Sequence, residues 1–141
     1  MPSTFETITQ GIYKRLSQMT KTLRNEPLPQ EIPSSGLLVL FDGEGEKEGT
    51  LGGFKRCYYR HTLELDVYVQ EKDAAKRDQL FDDLLMNIEK VLDDVAVLNQ
   101  AILSLVTQRP KTDVEHQEGA ASLKTTTLLI VIEYEAPSAL G

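Results

Sequence analysis

The sequence holds a single cysteine, Cys57, and two histidines, His61 and His116. One cysteine rules out an intrachain disulfide and a Cys-x-x-Cys metal pair, so a reducing, intracellular compartment is expected. Long apolar runs are also missing. The longest, Leu128 to Ile132, is far too short to span a bilayer. No basic start followed by an apolar stretch marks a signal peptide, and a soluble protein is expected. Runs of Lys and Arg are absent, and 22 Asp and Glu against 15 Lys and Arg leave a formal net charge of −7. A duplex nucleic acid binder needs a basic face to release counterions, and docking on an anionic membrane needs the same. Neither nucleic acid nor membrane is expected as a partner.

The motifs of bond-making chemistry fail one by one. Gly43-x-Gly45-x-x-x-Gly49 lacks the Lys and hydroxyl pair of a P-loop and misses the Gly-x-Gly-x-x-Gly spacing. Its three glutamates, Glu44, Glu46 and Glu48, would repel a phosphate. Asp42, Glu44 and Glu46 alternate like the start of a calcium loop, but Lys47 and Gly53 stand where that loop needs Gly and Glu. Cys57 and His61 fall on one face of a strand, two rise steps apart and beyond hydrogen-bond reach. Two ligands are also too few for zinc. Glu64 and Asp66 read most simply as decoration of a solvated or interface-facing sheet. Tyr58, Tyr59, Tyr68 and Tyr134 suit a core margin or a protein interface better than base stacking on an acidic chain. Enzymatic activity, a cofactor and a metal are therefore not expected.

What is present is a globular composition, 40% hydrophobic and 26% charged over 141 residues, enough for one domain with a real core. Residues 3–24 read as an amphipathic helix: Phe5, Ile8, Ile12, Leu16, Met19 and Leu23 recur three or four apart. Ser3-Thr-Phe-Glu6 has the form of a capping box. Pro27, Pro29 and Pro33 make residues 25–35 an extended connector. Residues 36–136 are expected to hold the sheet and a second helix. Gly36 to Phe41 is a short strand, and 42–54, rich in Gly and Glu, reads as a mobile loop. Cys57 to Gln70 alternates as a strand, with Leu63, Leu65, Val67 and Val69 on one face and Thr62, Glu64, Asp66 and Tyr68 on the other. Asp73 offers an N-cap to a helix whose apolar face runs from Leu80 to Leu92 and weakens at Asp93-Asp94. A short helical turn is expected over Leu98 to Leu103. A strand over Leu105 to Val114 should be an edge, or interrupted, at Pro110. The tail, Ala136 to Gly141, reads as loose.

The most informative stretch is Thr125 to Glu135. Leu128, Ile130, Ile132 and Tyr134 alternate on one side, while Leu129 and Val131 make the other side apolar too. A strand buried on both faces needs cover on both. Two helices can cover the first set. Leu129 and Val131 lack obvious cover within the chain unless the N-terminal helix crosses there. They are the candidate subunit interface. Candidate contact loops lie around Glu44, Glu46 and Lys47, and around Arg109 and Glu118.

The order amphipathic helix, extended connector, strand, glycine-acidic loop, long alternating strand, amphipathic helix, two closing strands resembles the tail terminator proteins of long-tailed phages and prophages of the Mu-like and lambda-like kinds. The resemblance runs from about Phe5 to Glu135. It is carried by Arg60-His-Thr-Leu-Glu-Leu-Asp-Val-Tyr-Val69, the helix after it, and Thr127-Leu-Leu-Ile-Val-Ile-Glu-Tyr-Glu135. It implies a single α+β domain, with a mostly antiparallel four-stranded sheet packed against two main amphipathic helices. It further implies a homohexameric ring that caps the tail tube protein at full length, ends tube polymerisation and meets the head connector or neck protein. Assembly would take place in the host bacterial cytoplasm, and the finished ring would sit in the virion tail. Another head–tail joining protein, or a small ligand-binding regulatory domain with the glycine segment as a lid, are the alternatives.

Overall fold

A computed structural model describes residues 2–50, 57–108, 111–116 and 121–141, with the backbone alone at 47, 48 and 50. The chain runs α1 (Thr4–Met19), β1 (Thr22–Arg24), β2 (Leu37–Thr50), β3 (Cys57–Glu71), α2 (Ala74–Leu98), β4 (Ile102–Thr107), β5 (Lys111–Glu115) and β6 (Ser122–Ala136). The six strands form one sheet in the order β1-β2-β3-β6-β4, with β5 beside β4 on the same flank of β6. The expected four strands become six because β1 joins at one edge and the expected Leu105–Val114 strand is two, β4 and β5, and the sheet is mixed because β1 runs parallel to β2. All other pairings are antiparallel.

Both helices lie on one face. Ile8, Ile12 and Leu16 of α1 and Phe81, Leu84, Ile88, Leu92 and Val95 of α2 share a core with Leu38, Leu40, Leu63, Leu65, Val67, Leu128, Ile130 and Ile132. Fully burying each such side chain contributes about 1.5–3 kcal/mol before entropy is charged against it. α1 starts where Ser3 Oγ accepts the Glu6 amide at 3.1 Å. The reciprocal half of the capping box is absent, because the Glu6 carboxylate is taken by Arg24. α2 starts where Asp73 Oδ1 accepts from the amides of Ala75 and Lys76, as the N-cap reading expected.

Four expectations are corrected. The first helix ends at Met19, not 24: Leu23 has helical spacing, but Thr22–Arg24 pairs with Leu38–Leu40 instead. The segment read as a loop over 42–54 is strand as far as Thr50, with Glu44 to Thr50 laddered on Thr62 to Cys57. There the partner strand overrides the weak β-propensity of Gly and Glu. Its remainder, 51–54, lies outside the described residues. No helical turn spans Leu98 to Leu103: α2 continues past Asp93-Asp94 to Leu98, and Ile102 opens β4. The tail is tied down, since Thr4 donates from both its amide and its hydroxyl to the Gly141 carbonyl, at 2.8 and 2.9 Å. The edge strand is two strands, β4 and β5, and Pro110, where an interruption was expected, lies outside the described residues.

Candidate functional site

Antiparallel register fixes which residues share a face, because residues directly opposite point the same way. Leu65 stands opposite both Leu40 and Leu128, which places all three under the helices. The alternate residues make the other face, and neither helix lies there. Across it run rows of Cα partners: Arg60 with Glu133, Thr62 with Val131, Glu64 with Leu129, Asp66 with Thr127, and Tyr68 with Thr125. β4 extends one row by setting Val106 opposite Val131.

Leu129 and Val131 thus point away from both helices, and each is only half-buried. α1 packs on the same face as α2 and gives them no cover. Val106, beside Val131, is 56% exposed. The β2 end of this face differs: Leu37 and Val39 are fully buried. Pro29, Ile32 and Pro33 of the connector are themselves half-buried. The connector is anchored at both ends, the Asn25 amide donating to Leu40 O and the Thr20 hydroxyl to Ser35 O.

Polar groups frame the apolar strip. Arg60 Nη2 meets Glu133 Oε1 at 3.1 Å on one side. On the other, Thr127 Oγ1 donates to Asp66 Oδ1 at 2.9 Å. Partial burial, with the Asp66 charge beside it, pushes the Glu64 carboxyl above its ordinary range. The Tyr68 hydroxyl is raised by burial and by Asp66. A shallow groove of about 280 Å³ lies over Asp66, Tyr68, Lys111, Asp113 and Thr125. A face that combines an apolar strip, fixed polar groups and an excess of carboxylates can dock a protein surface.

Of the candidate contact residues, those on β2 can be placed. Glu44 and Glu46 stand exposed opposite Thr62 and Arg60, so they border this face on the β2 side. Lys47 pairs opposite Tyr59. Arg109 and Glu118 lie outside the described residues.

Three features escaped the sequence reading. Val106 joins the apolar strip, and its alternation with Ile102 and Leu105 is obscured by an irregularity between Ile102 and Ser104. Arg24 ties α1, β1 and β2 together through Glu6 and Asp42. The His61 ring stacks on Phe5 with centroids 3.8 Å apart, and its Nε2–H donates to the Asp42 carbonyl. Burial lowers the His61 pKa against the opposing pull of Asp42. None of these has a local signature, because each depends on register between distant elements.

Among the described residues no three His, Cys, Asp or Glu side chains gather as a metal site, and no helix is long and apolar enough to cross a membrane. No family model matches the chain, and no curated protein matches it. Its fold is similar to that of a chain in the virion of the native gene transfer agent particle. That likeness has a TM-score of 0.56 at 13% identity, over 95% of this chain and 96% of the other.

Proposed function

We propose that this chain is a structural subunit of a phage-like virion, and specifically a tail terminator. In this reading six copies close into a ring that caps the tail tube, stops its growth and presents a surface to the head connector. Its work is done by interfaces and not by bond-making chemistry. The observation that carries the reading is the whole-chain fold likeness to a virion chain, which spans nearly the full length of both. The uncovered strip of Leu129, Val131 and Val106 supports it, because a head-to-tail contact that closes needs such a surface on each copy. Another head–tail joining protein is the second reading, since it too would be a virion chain and the fold likeness is to a chain of a virion.

The ring is tested by mass measurement at high protein concentration. A species near six times 15.8 kDa, about 95 kDa, is expected for the wild type. Val131→Asp should remain monomeric with an unchanged circular dichroism spectrum. A wild type that stays monomeric even in the presence of tube ends contradicts the ring.

A further inference from the structure

β4 is an outer strand of the sheet, and among the described residues no strand pairs with its far side. The Gln108 amide donates to Leu129 O, and the register from Leu105 to Thr107 is unbroken. The N–H and C=O groups of Leu105 and Thr107 therefore point away from β6, toward the position of a further strand. The flank of α2 that faces this edge lines a groove of about 740 Å³ with β4. Leu85 and Met86 form its apolar wall, Met86 being 51% exposed. The charged side chains lining it are Asp82, Glu89 and Asp93, all carboxylates and all exposed. Their spacing of four to seven residues places them along one side of the helix.

We infer that this groove takes an extended, cationic segment of a different protein as an added strand on β4. Main-chain hydrogen bonds to Leu105 and Thr107 would set its register. One set of its alternate side chains passes beneath α2. Lys or Arg suits that set, because the stems lie along Leu85 and Met86 while the charges reach the three carboxylates. The other set lies beside Val106, where small apolar residues fit. A second copy of this chain is the wrong occupant on charge, since each copy carries a net −7 and the charged side chains lining the groove are all carboxylates. The inference does not depend on ring closure, which was assigned to the other face of the sheet, where Leu129, Val131 and Val106 lie.

A labelled peptide of alternating Lys and Val, titrated at low salt into ¹⁵N-labelled protein, tests it. Amide shifts are expected at Leu105 to Gln108 and along Leu85 to Asp93. Binding should weaken as salt rises, and a peptide of alternating Glu and Val should not bind. The triple variant Asp82→Lys, Glu89→Lys, Asp93→Lys, altered only at exposed positions, should bind at least about tenfold more weakly. Thr107→Pro, which removes an outward N–H, should weaken binding similarly while the thermal transition is kept. Shifts confined to the Leu129 and Val131 face, equal binding of the Glu peptide, or full binding by the triple variant would each overturn the inference. Shifts along Leu85 to Asp93 on raising protein concentration without peptide would also overturn it, by making a second copy the occupant.

Discussion

Arg24 closes on Asp42 through two parallel hydrogen bonds, Nε to Oδ1 and Nη2 to Oδ2, both at 2.9 Å. The same guanidinium reaches Glu6 with Nη1 at 2.7 Å and Nη2 at 2.9 Å. One side chain thus joins the start of α1, the edge strand β1 and the bend in β2 where the hairpin leaves the core. These bonds raise the Arg24 pKa and hold Glu6 below its ordinary value. At Asp42 burial is the largest single influence and raises the pKa, but the hydrogen bonds from Arg24 and Asn25 and the Arg24 charge together bring it below its ordinary value.

Removing that guanidinium leaves two carboxylates facing each other without a cation. Arg24→Ala should destabilise the fold by about 2 kcal/mol, most of it from the side facing Asp42. The Glu6 carboxylate is 42% exposed and contributes the lesser share. Arg24→Lys should recover only part, because it cannot make the paired bonds. Urea unfolding of the two variants measures this.

The same network sets the acid limb of stability. Asp42 and Glu6 have folded pKa values below their unfolded ones, so the unfolded state binds more protons as pH falls. Their contribution is fully present above about pH 4 to 4.5 and is lost as pH drops through the folded values. The folded His61 pKa also lies below its unfolded value of about 6.5. Stability should therefore begin to fall as pH drops below 6.5, where the unfolded ring takes up a proton first. Replacing His61 with Phe, which keeps the stack on Phe5, should flatten the curve just below pH 6.5. Arg24→Ala should flatten it below about pH 4. Unfolding curves across pH 3 to 8 separate the two.

Gly43 lies at φ +66°, and a Cβ there would sit 1.9 Å from the Thr62 carbonyl oxygen. It belongs to the register shift between Phe41 and Glu44. Gly43→Ala must either open the bulge or shift β3, at a cost of more than about 2 kcal/mol. Amide exchange should quicken from Glu44 to Thr50 before it does in β6. Uniform exchange across the sheet would show that the bulge does not position the hairpin.

Within the core, Ile12 is fully buried against both the helix and sheet layers. Ile12→Ala should cost about 2–5 kcal/mol. Val131→Ala, on the half-buried open face, should cost about 1 kcal/mol or less while weakening assembly. Equal losses at the two positions would make Val131 an ordinary core residue.

Much of this architecture is legible in residue order. The alternation of Leu63, Leu65, Val67 and Val69 identifies β3, and that of Leu128, Ile130 and Ile132 identifies β6. Asp73 marks the start of α2. What is not legible is pairing. Thr22–Arg24 has no periodicity of its own and becomes a strand because Leu38–Leu40 lies beside it. Glu44 to Thr50 has loop composition and is held extended by β3. The second apolar face of β6 is visible as Leu129 and Val131. That α1 would leave it uncovered is not, because helix placement depends on which strands its apolar stripe meets. Val106 completes the strip only through its register with Val131.

Tube ends provide the most direct measurement of the proposed role. Tubes assembled from the tube protein of the same particle, mixed with this chain and imaged by negative-stain electron microscopy, should carry a ring at one end and cease to lengthen. Val131→Asp should leave the ends bare and growth unchecked. Bare, growing ends with the folded wild-type chain in excess would contradict a terminator.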